Sequence, residues 1–242
     1  MKTFSVTDTG VLRTMNQDYC FSSDTPIGNL PNLYIVCDGM GGHKAGEVAS
    51  EQAVSAVLES IKQNESTDKI TIIEEAISAA NAKVLDMATS DEKFKGMGTT
   101  LVVATLEKGI LYVANVGDSR LYLINDNDIR QITRDHSLVQ EMVSLGELDK
   151  ESARTHSRKN VITRAIGVDT KIVADFFEVD IAENTQILLC SDGLSNMVED
   201  SQINNIIEEC SGKTLEDTVH KLIDAANENG GLDNIAVVLA RI

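Results

Sequence analysis

The stretch TTLVVATLEKGILYVANVGDSRLYLI, residues 99–124, decides the fold. It holds three runs rich in Val, Leu and Ile, at 99–106, 110–115 and 120–124, and such runs are typical of β-strands. The breaks between the runs are no longer than hairpin connections. Because so short a connection joins antiparallel neighbours, we predict a meander here, with a two-residue turn at 117–118.

Further strands and helices are predicted on both sides of this segment. The other strand-like runs are 3–6, 32–37, 172–179, 186–189 and 234–240. Apolar residues recur at helical spacing in 54–61, 73–87 and 215–226. Strands in the middle with helices before and after them indicate an α+β fold, a four-layer αββα sandwich of two antiparallel sheets flanked by helices. No Pro-, Ser- or Gly-rich linker divides the chain, so we expect one domain over residues 1–242.

The net charge limits the partners that the protein can have. Its 242 residues carry 38 acidic and 21 basic side chains, a formal net charge of −17. A protein this acidic repels the phosphate backbone and anionic lipids, so we expect no nucleic-acid role and no membrane role. No apolar run has the length of a signal-peptide core or a membrane span, which favours a cytoplasmic protein, and we expect a monomer.

The cysteines are predicted to have no catalytic part. Cys20, Cys37, Cys190 and Cys210 form no CxxC pair, which favours small buried apolar residues in a reducing compartment. None of them is followed six positions later by the arginine that a cysteine-based phosphatase needs. The segment SGKT at 211–214 lacks the first glycine of a P-loop, so nucleotide binding there is not supported.

Three aspartates stand at the ends of predicted strands. Asp38 and Asp192 follow the apolar runs of LYIVCDG and QILLCSDG, and Asp233 begins the last strand in GGLDNIAVV. If the last strand is antiparallel to the other two, the three carboxylates reach the same edge of the sheet. Taken singly, an Asp-Gly pair is at least as well explained as a turn. Taken together, the carboxylates would repel one another unless cations neutralise them, and oxygen ligands without Cys or His favour Mg²⁺ or Mn²⁺.

The chain resembles the bacterial branch of the protein phosphatase 2C family, the metal-dependent PPM phosphatases, on six ordered segments: RTMNQD, CDGMGGH, GMGTT, VANVGDSR, SDGL and GGLDNIAVV. Together they span nearly the whole chain. The resemblance implies hydrolysis of phosphoserine and phosphothreonine in proteins by a water or hydroxide that bridges two divalent cations. It also implies a serine/threonine kinase whose action the enzyme opposes, and paired antiparallel sheets flanked by helices.

The resemblance implies a set of metal ligands. Asp38 would bridge two Mn²⁺ or Mg²⁺ ions, the carbonyl oxygen of Gly39 would bind one of them, and Asp192 and Asp233 would complete the shell of the other. Asp18 would add a further carboxylate, either directly or through water.

A third, weaker ion is implied at Asp118 together with Asp192. The pair of Gly117 and Asp118 is equally well explained as a hairpin turn, and both descriptions can hold. Gln17 stands where many family members carry Glu, and we do not count it as a ligand.

Four more side chains are implied around the reacting phosphate. Arg13 would hold the phosphate through two parallel hydrogen bonds, a geometry that lysine cannot reproduce. His43 would protonate the departing serine or threonine oxygen, although a lone histidine at a helix start is more often a solvated or capping residue. Asn16 and Asn234 would orient the ligands.

A basic segment, 152–164, interrupts the acidic chain. Its basic side chains are Arg154, Arg158, Lys159 and Arg164, and it contains no acidic residue. By resemblance it falls in a flap at about 137–168, beside the active site. For any single residue, chance composition of a solvated loop is the simpler explanation. As a group, Arg154, Arg158 and Lys159 would dock phosphorylated protein segments.

Two alternative functions stay open. The same ligand set could serve a two-metal small-molecule phosphatase or a phosphodiesterase, so the protein substrate rests on the resemblance. A non-catalytic pseudophosphatase regulator is disfavoured, because none of the principal acidic positions is missing.

Overall fold

The computed structural model describes residues 2–42, 44–125 and 128–242. Within these ranges, two antiparallel sheets pack face to face. The first sheet holds, in spatial order, β1 (Lys2–Asp8), β11 (Ile235–Arg241), β10 (Gln186–Cys190), β7 (Arg120–Asn125) and β8 (Asp128–Gln131). The second sheet holds β2 (Asp18–Ser23), β3 (Leu33–Met40), β5 (Leu101–Glu107), β6 (Ile110–Val116) and β9 (Asp175–Asp180). A short strand, β4 (Gly98–Thr99), pairs with the end of β3.

Helices cover the outer face of each sheet. The second sheet is covered by α1 (Ala45–Gln63) and α2 (Lys69–Ser90). The first sheet is covered by α5 (Asp192–Ser195), α6 (Asp200–Glu209) and α7 (Leu215–Glu228). Between β8 and β9 the chain forms α3 (Leu138–Ser144) and α4 (Lys150–Thr155). None of the helices in the described ranges combines the length and apolarity needed to cross a bilayer.

The alternation of side chains along the strands builds three apolar layers. Between the sheets, Val36 and Val102 pack with Leu123 and Leu189. The residues next to them in sequence point the other way and meet α1 and α2 on one side, and α6 and α7 on the other. The predicted four-layer αββα sandwich is therefore confirmed, and the three helices predicted from apolar spacing correspond to α1, α2 and α7.

The predicted three-strand meander is wrong at its second turn. β5 and β6 pair as expected, but β7 belongs to the other sheet, so Gly117 and Asp118 carry the chain from one sheet to the other. The place beside β6 is taken by β9, which arrives from much later in the chain. A two-residue connection can join neighbouring strands of one sheet or carry the chain from one sheet to another. Its length alone does not distinguish these two cases. The description of this pair as a hairpin turn is therefore a wrong prediction.

Several short elements were not predicted. β2 (DYCFSS) and β8 (DIRQ) mix polar and apolar residues and are held by their neighbours more than by their own strand preference. The helices α3, α4 and α5 are too short to show a clear helical period. The helix α6 does show one, because Ile203, Ile206 and Ile207 follow i, i+3, i+4 spacing, but it was overlooked. Cys37, Cys190 and Cys210 are buried and all four cysteines are free thiols, as expected.

We predict that Leu189→Ala lowers the free energy of unfolding by about 3 kcal/mol, because it opens a cavity in the layer between the sheets. Leu189 is fully buried there. The control is Val173→Ala, at a side chain that is 67% exposed, and it should change the free energy by less than about 0.5 kcal/mol. Urea unfolding measures both, and equal midpoints for the two variants would contradict the packing described.

Candidate metal centre and catalytic site

Carboxylates from both sheets meet at one rim of the sandwich. Asp18, the first residue of β2, lies directly opposite Asp38 of β3. Asp192 follows β10 and Asp233 precedes β11, and these antiparallel strands bring the two aspartates to the same end of the first sheet. The negative charges of Asp18, Asp192, Asp118 and Asp233 all raise the pKa of Asp38. The site thus lies between two sheets, and not along the edge of one sheet as the sequence suggested.

Burial and mutual repulsion raise the pKa values of the central pair. The pKa of Asp18 is raised to about 8, first by burial and then by the charges of Asp192 and Asp233, while a hydrogen bond from Ser191 opposes the shift. Burial and the neighbouring carboxylates also hold the pKa of Asp38 well above its ordinary value. Without cations, at least one carboxyl of this pair, that of Asp18, would hold a proton at neutral pH.

The second pair of acids behaves in the same way. Burial, followed by the charges of Asp192 and Asp135, raises the pKa of Asp118 to about 8. Burial and the charge of Asp233 raise the pKa of Asp192 to about 6. Burial and mutual repulsion make these aspartates costly to ionise. Such a cluster is the environment expected around bound cations.

Asp192 carries a buried oxygen without a partner. Its Oδ2 accepts a hydrogen bond from Nδ2 of Asn196 at 2.9 Å, whereas Oδ1 has no hydrogen bond within the described part of the chain. No three Asp, Glu, His or Cys side chains among the described residues are arranged closely enough to hold an ion by themselves. Oxygen-binding cations such as Mg²⁺ keep several waters, so they do not need a closed protein cage. The unpartnered oxygen and the raised pKa values therefore fit hydrated divalent cations.

Ser191 joins the two sheets at this rim. Its Oγ accepts a hydrogen bond from the backbone N–H of Ala236 at 2.8 Å and donates its proton to Oδ2 of Asp18 at 2.6 Å. Ser191 and Asp18 are both buried. No sequence pattern had indicated a role for Ser191, although it stands in the SDGL segment directly before Asp192.

The GMGTT segment fixes the backbone of Asp38. The N–H of Asp38 donates to Oγ1 of Thr100 at 2.8 Å, and its carbonyl oxygen accepts from Oγ1 of Thr99 at 2.9 Å. Oγ1 of Thr100 is also 2.7 Å from Oγ of Ser119, the neighbour of Asp118. The hydroxyls therefore connect the positions of two predicted ligands, a role that the sequence analysis did not assign to them.

Gly39 lies where β3 and the first turn of α1 almost touch. Its N–H donates to the carbonyl oxygen of Gln17 at 3.1 Å. A Cβ built at Gly39 would lie 2.1 Å from the carbonyl oxygen of Gly46 and 2.5 Å from that of Gln17. No side chain fits here, so the backbone that carries the predicted carbonyl ligand requires glycine.

Arg13 lies beside a predicted metal ligand. Its guanidinium NH2 donates to Oδ2 of Asp233 at 2.8 Å, and its Nε donates to the carbonyl oxygen of Leu232 at 3.3 Å. The side chain is half exposed. Its positive charge therefore stands at the open side of the acidic rim.

The two predicted supporting asparagines tie the loop between β1 and β2 to the rim. Oδ1 of Asn234 accepts from the N–H of Gln17 at 2.8 Å, and its Nδ2 donates to the carbonyl oxygens of Thr9 and Met15. Oδ1 of Asn16 accepts from the N–H of Asp18 at 3.1 Å. His43, the predicted proton donor, lies outside the described residues.

His136 holds the turn that precedes Asp118. Its Nδ1 accepts from the N–H of Gly117 at 3.1 Å, and its backbone N–H donates to the carbonyl oxygen of Gly117 at 2.9 Å. Because Nδ1 is an acceptor, Nε2 carries the proton and points to Oδ2 of Asp175 at 3.3 Å. The sequence analysis assigned no role to His136.

The segment predicted as a flap, residues 137–168, brings two of its three predicted docking residues to the acidic rim. Arg154 donates to the carbonyl oxygen of Ser195 at 3.3 Å. Arg154 and Lys159 line a cavity of about 260 Å³ that also includes Asp118 and Asp192. Arg158 is exposed and is not part of this cavity.

The remaining basic residue of the segment is engaged elsewhere. Arg164 donates to Oδ1 of Asp175 at 2.8 Å. The same carboxylate lies next to Nε2 of His136, so Arg164, Asp175 and His136 form one charged group. Arg164 therefore does not face the cavity that Arg154 and Lys159 line.

The chain is similar to known proteins along almost its whole length. A family model described as protein phosphatase 2C matches residues 12–239. The serine/threonine phosphatase stp of Listeria welshimeri is 42% identical over 239 residues, which cover 96% of this chain and 92% of that protein. The serine/threonine phosphatase Stp1 of Staphylococcus aureus has a similar structure, with a TM-score of 0.92 and 34% identity over 100% of this chain and 94% of that one. The catalytic domain of the phosphatase PstP, solved with two manganese ions, gives a TM-score of 0.87 and 30% identity, covering 99% and 97% of the two chains.

We predict that removal of divalent cations makes stability fall as pH rises. Asp18 and Asp118 have pKa values of about 8 in the folded protein, against a reference value of 3.8. Between about pH 4 and pH 8 the folded state holds protons that the unfolded chain has released, so this stabilisation is present at low pH and lost as pH approaches 8. Urea midpoints of the chelated protein should therefore decrease over this window.

Two controls accompany the pH series. Mn²⁺ should restore the midpoint most strongly at about pH 8, where the carboxylates are ionised. Asp18→Asn should flatten the pH dependence of the metal-free protein, because it removes one of the raised pKa values. A chelated protein whose midpoint does not change with pH would contradict the electrostatics of the rim.

Proposed function

Because the chain belongs to the protein phosphatase 2C family, we propose that it hydrolyses phosphoserine and phosphothreonine in proteins at the acidic rim between its two sheets. It is a metal-dependent serine/threonine phosphatase, a phosphoric monoester hydrolase, like the relatives that it resembles along almost its full length. The observation that carries the assignment to this rim is the group formed by Asp18, Asp38 and Asp192, which come from both sheets and have raised pKa values. The half-exposed Arg13 lies at the same rim.

The oxygen ligands at the rim are proposed to hold Mn²⁺ or Mg²⁺. Asp38, the Gly39 carbonyl, Asp192 and Asp233 would hold two principal ions, with Asp18 contributing directly or through water. The two manganese ions of the similar PstP structure support this number. Bound divalent cations neutralise the carboxylates and acidify water for attack on phosphorus. A third, weaker ion is proposed at Asp118 and Asp192, which line the same cavity.

Arg13 is proposed to bind the phosphate of the substrate. In the structure its NH2 is occupied by Asp233. Ligation of a cation by Asp233 would weaken that ion pair, and the planar guanidinium could then donate to two phosphate oxygens. The developing negative charge on these oxygens would be stabilised by the same donors. His43 is proposed, from the sequence alone, to protonate the leaving oxygen. Asn16 and Asn234 are proposed to hold the loop between β1 and β2 in place at the rim.

The domain organisation, the location and the partners of the enzyme are part of the same proposal. One domain over residues 1–242, with a flap at about 137–168, would account for both the catalytic rim and the docking residues. The formal net charge of −17 supports the absence of nucleic-acid and membrane partners. We propose a cytoplasmic monomer that acts on phosphorylated proteins and opposes a serine/threonine kinase.

We predict that Asp38→Asn abolishes Mn²⁺-dependent hydrolysis of a phosphothreonine peptide, by at least about 100-fold in kcat, because the amide removes the charge that would hold both ions. The fold should be retained, as measured by circular dichroism and urea unfolding. Near-normal turnover in this variant would end the assignment. The wild-type enzyme should also prefer the peptide to a bis-aryl phosphodiester, and the reverse preference would favour a phosphodiesterase.

We predict that Lys159→Glu raises KM for a phosphopeptide more than Arg158→Glu does, by about 5-fold against less than about 2-fold. Lys159 lines the cavity next to Asp192 and its charge lowers the pKa of that carboxyl, whereas Arg158 points to solvent. Steady-state kinetics with a phosphopeptide and with a small aryl phosphate measure the effect. If both variants changed KM equally for both substrates, docking by the flap would be refuted.

A further inference from the structure

Exposed apolar residues precede Arg13 in the chain and lie on the loop to which its Nε is hydrogen-bonded. Val11 is 62% exposed, Leu12 is 64% exposed and Leu232 is 50% exposed. We call these three residues the apolar rim patch. Two separate loops contribute to it, one before β2 and one before β11. Single exposed apolar residues need no explanation, but a group beside a catalytic rim does.

The apolar rim patch belongs to a rigid part of the surface. The backbone N–H groups of Val11 and Leu12 both donate to the carbonyl oxygen of Gly231, at 2.9 and 3.1 Å. Gly231 has a φ of +52°, and a Cβ there would lie 2.6 Å from Cγ2 of Val11. The two loops therefore touch through backbone and side chain, and glycine is required at the contact.

The loop before β2 is fastened at further points. Oδ1 of Asp8 accepts hydrogen bonds from the N–H of Gly10 at 2.8 Å and from Nδ2 of Asn227 at 3.2 Å. Nδ2 of Asn234 binds the carbonyl oxygen of Thr9 at 2.8 Å. The exposed side chains are thus held by an ordered backbone, and a ligand that covers them pays little ordering entropy.

The apolar rim patch is continuous with the phosphate-binding group. Arg13 follows Leu12 directly and its Nε binds the carbonyl oxygen of Leu232, so the guanidinium stands between the two loops. A phosphate held by Arg13 would bring the residues next to the phosphoamino acid over Leu12 and Leu232.

We propose that the apolar rim patch binds an apolar side chain that flanks the phosphoserine or phosphothreonine of the substrate protein. This inference rests on the proposed function, because it takes Arg13 as the phosphate-binding group. Burial of a leucine or isoleucine side chain against Leu12 and Leu232 would remove apolar surface from water on both sides of the contact. The enzyme would then select phosphorylated sites by an uncharged neighbour, in addition to any selection by the basic flap.

The test uses pairs of phosphothreonine peptides that differ only by Leu or Ser at one position, scanned along both sides of the phosphothreonine. The wild-type enzyme should show a kcat/KM ratio of about 5 in favour of Leu at one or more positions. In Leu12→Ser and in Leu232→Ser this ratio should fall below about 2. Val173→Ser, at an exposed valine far along the chain from both loops, is the matched control and should keep the wild-type ratio.

Each outcome separates this inference from the proposed function. If no peptide of either kind is hydrolysed, the proposed function fails. If both kinds are hydrolysed with equal kcat/KM at every position, or if the patch variants keep the wild-type ratio, only the apolar rim patch proposal is overturned. Sedimentation of the wild type as a dimer and of Leu12→Ser as a monomer would assign the patch to a second copy of the chain, and would also overturn it.

Discussion

Repulsion among a few buried aspartates at one rim is the physical constraint that the site has to satisfy. Burial and neighbouring charge raise the pKa values of Asp18, Asp38, Asp118 and Asp192 together. A folded protein tolerates such a group only if protons or cations compensate the charge. Cation binding would relieve this repulsion and so stabilise the rim. The free energy of unfolding of the metal-free protein is lowered by the same repulsion.

Rigid support is what keeps these groups together. Ser191 bonds to strands of both sheets, and Thr100 holds the N–H of Asp38 while its hydroxyl meets Ser119. The bare backbone of Gly39 allows the start of α1 to approach. The acidic groups thus stand on strand ends and helix starts, and not on long loops, which gives the precise placement that catalysis by position and charge requires.

The sequence predicted the layers of this fold and the acidic positions, but not how they are brought together. Strand composition and helical spacing were enough for the sandwich. Turn length could not reveal that Gly117 and Asp118 pass from one sheet to the other, because the partner of β6 lies some sixty residues later in the chain. Ser191 was overlooked, since a serine in a strand end has many uses and its partner Asp18 is distant in sequence. Local patterns report local structure, and these features depend on long-range pairing.

The predicted metal ligands come from two different sheets, and this has a mechanical consequence. Asp18 and Asp38 move with the second sheet, whereas Asp192 and Asp233 move with the first. The separation between the two pairs is therefore set by the thickness and sliding of the apolar layer that includes Val36, Val102 and Leu189. A change of side-chain volume deep in that layer would alter the distance between the two pairs of aspartates. The affinity for cations would therefore depend on how the two sheets pack against each other.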